Sequence, residues 1–258
     1  MKIISVSNQK GGVGKTTCAV NIGAGLVRLR QSVLLIDLDP QAHLTYSLGI
    51  QADNLDRTVY DLLKGQASVE DILIDREQLK IVPASLTLSG ASLELSNVAG
   101  REVLLREALE SLKGFDWVLI DCPPSLGLLT LNAFTSAHEV YIPLQAEFLA
   151  MQGMSKLLRA IEIVKKRLNQ RLRVTGIIAT RFDARRRLNR EVLSKIRERF
   201  GSTVFDTIIR ENIALAEAPS YGKTIYDYSP NSYGAEDFMR LSHEIIQRNN
   251  RARIPKRS

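Results

Sequence analysis

Near its start the chain passes from a short apolar run, Ile3–Ser7, into Asn8-Gln9-Lys10-Gly11-Gly12-Val13-Gly14-Lys15-Thr16-Thr17, and then into a helical pattern over Thr16–Arg30. Few folds accommodate a strand that feeds a helix through so glycine-rich a turn. Glycines accept positive φ and let successive backbone N–H groups face one point. The helix N-terminus adds a partial positive charge there. From that position Lys15 can reach the β- and γ-phosphates of a triphosphate, and the Thr16 hydroxyl can ligate Mg²⁺. Gly11, Gly12, Val13, Gly14 and Thr17 complete the expected phosphate cradle. A purely structural turn would leave the Lys-Thr pair at its end without a reason.

The rest of the chain alternates strand and helix. Val33–Leu38, Leu79–Ala84, Trp117–Asp121, Val140–Leu144 and Val174–Phe182 are apolar, β-rich and mostly without alternation, as in strands buried on both faces. Helical patterns cover Arg101–Leu112, Leu126–Ser136, Ser155–Asn169, Leu188–Phe200 and Ala235–Arg248. The expectation is one α/β domain over residues 1–258, a three-layer α/β/α sandwich on a mostly parallel twisted sheet, the P-loop NTPase fold. Residues 248–258 read as a frayed basic tail. Two cysteines, Cys18 and Cys122, make no disulfide framework. No run approaches a membrane span, and the phosphate loop begins too early for a signal peptide. A cytoplasmic location is expected.

Two aspartate motifs follow strands. Asp37-Leu38-Asp39-Pro40 stands at the carboxyl end of the second strand, where ligands bind in parallel sheets. A carboxylate there can orient a water or help hold Mg²⁺. The alternative is a turn-initiating Asp-Pro pair. Asp116-Trp117-Val118-Leu119-Ile120-Asp121 is an apolar strand ending in aspartate, the Walker B pattern, in which Asp121 would hold Mg²⁺ through water.

The loop departs from the usual phosphate-loop spacing: Gln9 stands where the first glycine would be, and Lys10 follows it. In this form, Lys-Gly-Gly-x-Gly-Lys-Thr-Thr, it resembles the deviant Walker A family of P-loop ATPases, which includes ParA/Soj, MinD and nitrogenase iron protein. Val82-Pro83-Ala84-Ser85, Phe182-Asp183-Ala184-Arg185 and Ala216-Glu217-Ala218-Pro219-Ser220-Tyr221-Gly222-Lys223 extend the likeness to ParA/Soj over the whole length. The resemblance implies a Mg²⁺-dependent ATP hydrolase that forms an ATP-dependent sandwich dimer. Lys10 and Lys15 would be catalytic, with Lys10 reaching the phosphates held by the other subunit. Asp39 would position water, and Asp37 would act through Mg²⁺-bound waters. Adenine would pack near Pro219 and Arg181, and Glu147 would lie near the nucleotide and the dimer interface. Neither cysteine matches the cluster ligands of the iron protein. The lack of residues before the first strand is expected of the short, chromosome-type or small-plasmid form.

Charge points to the partner. Residues 1–150 carry 12 basic and 17 acidic residues, a net of −5, whereas residues 151–258 carry 23 and 11, a net of +12. Arg185, Arg186, Arg187 and Arg190, with Arg210 and Lys223, are the expected contacts to duplex DNA, through its backbone and without sequence preference. The resemblance implies a nucleoid-associated protein whose hydrolysis is stimulated by a ParB-type centromere-binding partner. Two relatives remain as alternatives: an ATPase that positions another cargo, and a MinD-like membrane-cycling regulator. The tail holds one large apolar residue, Ile254, and a proline, so insertion into lipid is not expected. An enzyme phosphorylating or amidating a small molecule is the least favoured reading.

Overall fold

The computed structural model describes residues 1–253, except Glu77, Phe148 and Leu149. Its centre is a seven-stranded sheet: β1 Lys2–Val6, β2 Val33–Asp37, β3 Ile74–Arg76, β4 Leu79–Val82, β5 Trp117–Asp121, β6 Glu139–Gln145 and β7 Arg173–Thr180. The order is β3-β4-β2-β5-β1-β6-β7. Every pairing is parallel except β3 with β4.

The two-residue period of each strand divides its side chains between two cores. On β2, Leu34 and Ile36 face one layer and Val33 and Leu35 the other; on β5, Val118 and Ile120 separate likewise from Trp117 and Leu119. The main helices, in chain order, are α1 Lys15–Arg28, α2 Leu104–Leu109, α3 Leu128–Ser136, α4 Ala150–Arg167, α5 Arg187–Phe200 and α6 Tyr233–Arg253. Leu105, Phe134, Ile161 and Leu193 of α2–α5 share the first core. Cys18, Ile22 and Leu26 of α1 meet Phe238, Leu241 and Ile245 of α6 in the second. The expected three-layer sandwich is thus present.

Several boundaries differ, for local reasons. The helix expected over Arg101–Leu112 is only Leu104–Leu109. Asn132 Nδ2 takes the Arg101 carbonyl at 2.7 Å and Thr135 Oγ1 takes that of Glu102 at 2.6 Å, so neither joins a helical ladder. Arg248 does not begin a frayed tail. α6 continues to Arg253, and Arg248 donates to the carbonyls of Ser202 (2.8 Å) and Val204 (2.7 Å), pairs with Glu244, and lies 4.2 Å over the Phe205 ring. Residues 254–258 of the expected tail lie outside the described residues. Between β2 and β5, short helices at His43–Ser47, Val59–Leu63, Val69–Ile72 and Ala91–Glu94 were not expected. Two begin with capping boxes, Thr58/Asp61 and Ser68/Asp71.

Both sheet margins are covered. β3 is three residues long, with Asp75 and Arg76 exposed. Beyond β7 a strip of chain after α5 bridges Val204 to Ile177 and Arg210 to Phe182. No described helix is long and apolar enough to cross a membrane.

Candidate active site

The loop between β1 and α1 takes the shape its glycines allow. Gly12 has φ +74° and Gly14 φ +88°, a region in which a side chain is strained. A Cβ at Gly11 or Gly12 would meet no atom within 4 Å, so the concave side of the loop is open. Neighbouring strands pin the rest. Asn8 Nδ2 donates to the Pro143 carbonyl at 2.7 Å, Asn8 Oδ1 accepts from Lys10 N at 3.0 Å, and Thr180 Oγ1 donates to the Val13 carbonyl at 2.8 Å. The first turn of α1 holds no acidic residue. Lys15 is buried at 8% exposure, and among the described residues its Nζ reaches only the Lys10 carbonyl, at 3.5 Å. A buried ammonium so poorly paired at a helix N-terminus is suited to receive an anion.

The register of the sheet builds the other half. Asp121 lies beside Val6 on β1 and beside Asp37 on β2. Both carboxylates are fully buried. Asp121 Oδ2 accepts from Thr16 Oγ1 at 2.5 Å, while its Oδ1 has no partner among the described residues. Burial, then the charge of Asp37, raises the Asp121 carboxyl well above the usual range. Burial pushes Asp37 up to about 6, even though Thr45 N, Thr45 Oγ1 and Asp39 N all donate to it. Buried carboxylates in excess and an orphaned oxygen call for a cation, and an all-oxygen donor set suits Mg²⁺.

Thr16 and Asp121 are therefore brought together as expected, and Asp37 lies beside them with a second task. Its Oδ2 accepts both Thr45 N and Thr45 Oγ1, and Thr45 Oγ1 in turn accepts from Ala84 N at 3.0 Å. Asp37 thus holds the turn after β2 in place, while its Oδ1 accepts one bond, from Asp39 N, and can take a further donor such as a metal-bound water. Asp39, 7% exposed, uses one oxygen to accept Gln41 N at 3.0 Å. Cys122 lies 3.1 Å from Ser5 Oγ, and burial pushes its thiol up to about 12. Cys18 is raised by burial as well. Neither is a thiolate near neutral pH.

Lys10 stands at the exposed mouth and pairs with Glu147 of its own chain. With the Gln145 amide nitrogen facing Glu147 Oε1 at 3.2 Å, its oxygen accepts from Arg181 Nε and Nη1 at 3.2 and 3.1 Å. Arg181, with φ +48°, also lies 3.6 Å from Glu211. Lys10, Glu147 and Arg181 thus form one cluster, with Gln145 as an unexpected link. Pro219 is exposed in the turn Ala218–Tyr221, which packs on the helix His43–Ser47.

The basic residues picked from the sequence nearly all have internal partners. Arg185 and Arg186 pair with Asp183 at 3.0 and 3.3 Å, and Arg185 holds that carboxyl down to about 2. Arg187 pairs with Glu191 at 2.6 Å, and Arg190 Nη1 donates to the Ala184 carbonyl. Lys223 is exposed. Arg210 is committed elsewhere than to the expected phosphate contact. It binds Asp237 at 2.6 Å and Glu236 at 2.7 Å and lies 4.2 Å over the Tyr233 ring, clamping the strip beside β7 to α6. Asp237 is 4% exposed, so Arg210→Ala strands a buried charge and should cost about 3 kcal/mol in urea unfolding. A free surface arginine would cost almost nothing in that measurement.

A sequence-family model described as an AAA domain matches residues 1–174. The chain is 45% identical over 247 residues to the sporulation initiation inhibitor protein Soj of Bacillus subtilis, covering 95% of this chain and 98% of that protein. It is 42% identical to the chromosome partitioning protein ParA of Caulobacter vibrioides, covering 96% and 95%. Among solved structures, one described as cobyrinic acid a,c-diamide synthase from Mycobacterium smegmatis, with a bound ATP analogue and magnesium, matches with TM-score 0.87 and 37% identity. It covers 98% of this chain and 97% of that one.

Proposed function

The chain belongs to the ParA/Soj family of chromosome-partitioning ATPases, and from that premise we propose that it is a Mg²⁺-dependent ATPase that closes into a dimer around ATP. As a dimer it binds nucleoid DNA without sequence preference, and it releases the DNA after hydrolysis stimulated by a ParB-type partner. The observation that carries this reading is the pair of lysines on one loop. Lys15 is buried at the α1 N-terminus and serves its own subunit's phosphates. Lys10, five residues earlier, has a side chain 48% exposed and can serve a neighbour's.

The loop N–H groups and Lys15 bind the triphosphate oxygens and hold the γ-phosphate in line. Thr16 Oγ1 and Asp121 Oδ1 are the groups that would hold Mg²⁺. Once bound, the ion neutralises charge on the β- and γ-phosphate oxygens. Asp39 orients the attacking water, and Asp37 with Thr45 keeps the Asp39 turn fixed. Arg181, Glu147 and Pro219 remain the proposed contacts to the rest of the nucleotide and to the second subunit. Loss of the γ-phosphate removes a ligand shared by two subunits, the differential contact that any switch requires.

A mobility shift on duplex DNA tests the cycle. With ADP no shift is expected; with ATP a shift; with Asp39→Ala and ATP a shift that persists, because turnover falls roughly 10²- to 10³-fold while binding remains. Light scattering on the same samples should show doubled mass only with ATP. An ATP-loaded chain that stays a single subunit would refute the scheme. Turnover that depends on a small carboxylic acid and ignores DNA would favour the ligase description of the structural relative.

A further inference from the structure

The side chains chosen from sequence as DNA contacts are mostly neutralised within the chain, which raises the question of where its uncommitted positive charge lies. The long helix α4 answers it. Its buried side is Met154, Leu157, Ile161 and Val164. On the side away from these, Lys156, Arg159, Ile163, Lys166 and Arg167 fall at i, i+3, i+7, i+10 and i+11, one continuous face of a 3.6-residue helix. All five are exposed, Ile163 at 51%.

The four cations on this face have no ion-pair partner among the described residues. By contrast, Lys165, off the stripe, lies 3.8 Å from Glu162. Arg185, Arg186, Arg187 and Arg210 are all paired with carboxylates. Lys166 and Arg167 stand in the last turn, where they also offset the carbonyl end of the helix dipole. Lys156 and Arg159 are mid-helix and have no such task. α4 and α5 pack on the same core layer beside β6 and β7, so this stripe and the outer residues Arg190 and Lys195 lie on one side of the molecule.

We propose that the outward stripe of α4 — Lys156, Arg159, Lys166 and Arg167 — is a contact surface for the phosphate backbone of duplex DNA, extending the footprint beyond the arginine turn at 185–187. The inference rests on the DNA-binding reading above. A phosphate meeting these side chains breaks no internal ion pair, whereas one meeting Arg185 or Arg187 must displace a carboxylate. The run of cations from Lys156 to Arg167 extends about 17 Å along the helix and matches a polyanion that presents phosphates repeatedly along its length.

The test is the triple variant Lys156→Ala/Arg159→Ala/Lys166→Ala, measured with ATP by fluorescence anisotropy on a duplex of arbitrary sequence across a salt series. The slope of log affinity against log salt should flatten by roughly three for each face that touches DNA, at about 0.9 per phosphate contact. Dimer mass and DNA-free ATP turnover should match wild type, which shows that the variant is folded. Ile163→Ala should keep the wild-type slope, because an apolar residue releases no counterion. Wild type that ignores duplex DNA with ATP overturns both this assignment and the reading beneath it. Wild-type binding with an unchanged slope in the triple variant overturns the assignment alone. So does a triple variant that loses only its binding to anionic phospholipid vesicles.

Discussion

Lys15→Ala should fold, keep its sheet, and bind ATP on the order of 10²- to 10³-fold more weakly than wild type, with turnover lost in proportion. The size follows from what Lys15 lacks. Its ammonium is buried, and its one hydrogen bond among the described residues is a long one to the Lys10 carbonyl. The protein has already borne the cost of desolvating this charge and receives little in return until an anion arrives. A charge-assisted hydrogen bond contributes about 1.5–3 kcal/mol, and the proposed contacts of this residue are to two phosphate groups, so a loss of about 3–4 kcal/mol is expected. Isothermal titration with a non-hydrolysable ATP analogue measures it. An affinity within threefold of wild type would show that the backbone cradle binds the phosphates without the ammonium.

Asp121→Asn should move two observables in opposite directions. ATP turnover should fall at least ~10²-fold, because the orphaned Oδ1 is the oxygen proposed to face Mg²⁺. The metal-free protein should become more stable, on the order of 2 kcal/mol, because a buried charge facing a second buried carboxylate is gone. The pH dependence gives an independent reading. Asp37 has its folded pKa raised to about 6 from an ordinary 3.8. Between those values the unfolded chain has released this proton and the folded chain still holds it. The group's contribution to stability is therefore present at low pH and lost as pH rises to about 6, a change of about 3 kcal/mol. Carboxylates held low by arginines, such as Asp183, work the other way, so the comparison must be between variant and wild type. In EDTA, the fall in stability from pH 4 to pH 7 should be smaller for Asp121→Asn. Equal falls would mean that the Asp121 carboxyl is not held above its ordinary range in the fold.

The phosphate loop and both aspartate strands were legible because each is fixed by local rules: positive φ needs glycine, a buried parallel strand needs branched apolar residues, and a carboxylate at its end stands out. The short helices between β2 and β5 were legible in principle. Thr58 and Ser68 each precede an aspartate by three residues, a capping signal passed over because the apolar runs behind them are brief. β3 was not legible, since three half-polar residues carry no period. Thr45 and Gln145 were also beyond reach. Thr45 matters because its hydroxyl meets both Asp37 and Ala84 N, and Gln145 because its amide lies between Arg181 and Glu147. Those meetings are created by tertiary packing and leave no spacing in the chain. The ion pairs of the arginines were hidden for a related reason: a count of cations does not show which ones have carboxylate partners inside the fold. Arg210 reads as surface charge, and only the fold brings Asp237 to it.

The covered margins of the sheet have a consequence for crowding. Proteins gathered at high density on a polymer are exposed to strand-by-strand recruitment, in which an open border templates its neighbour and fibres grow. Here one border is too short and too polar to act as a template. The other becomes available only if the strip from Val204 to Arg210 peels away. That strip is fastened at one end by Arg248 and at the other by Arg210, so those two guanidinium groups keep this border of the sheet closed.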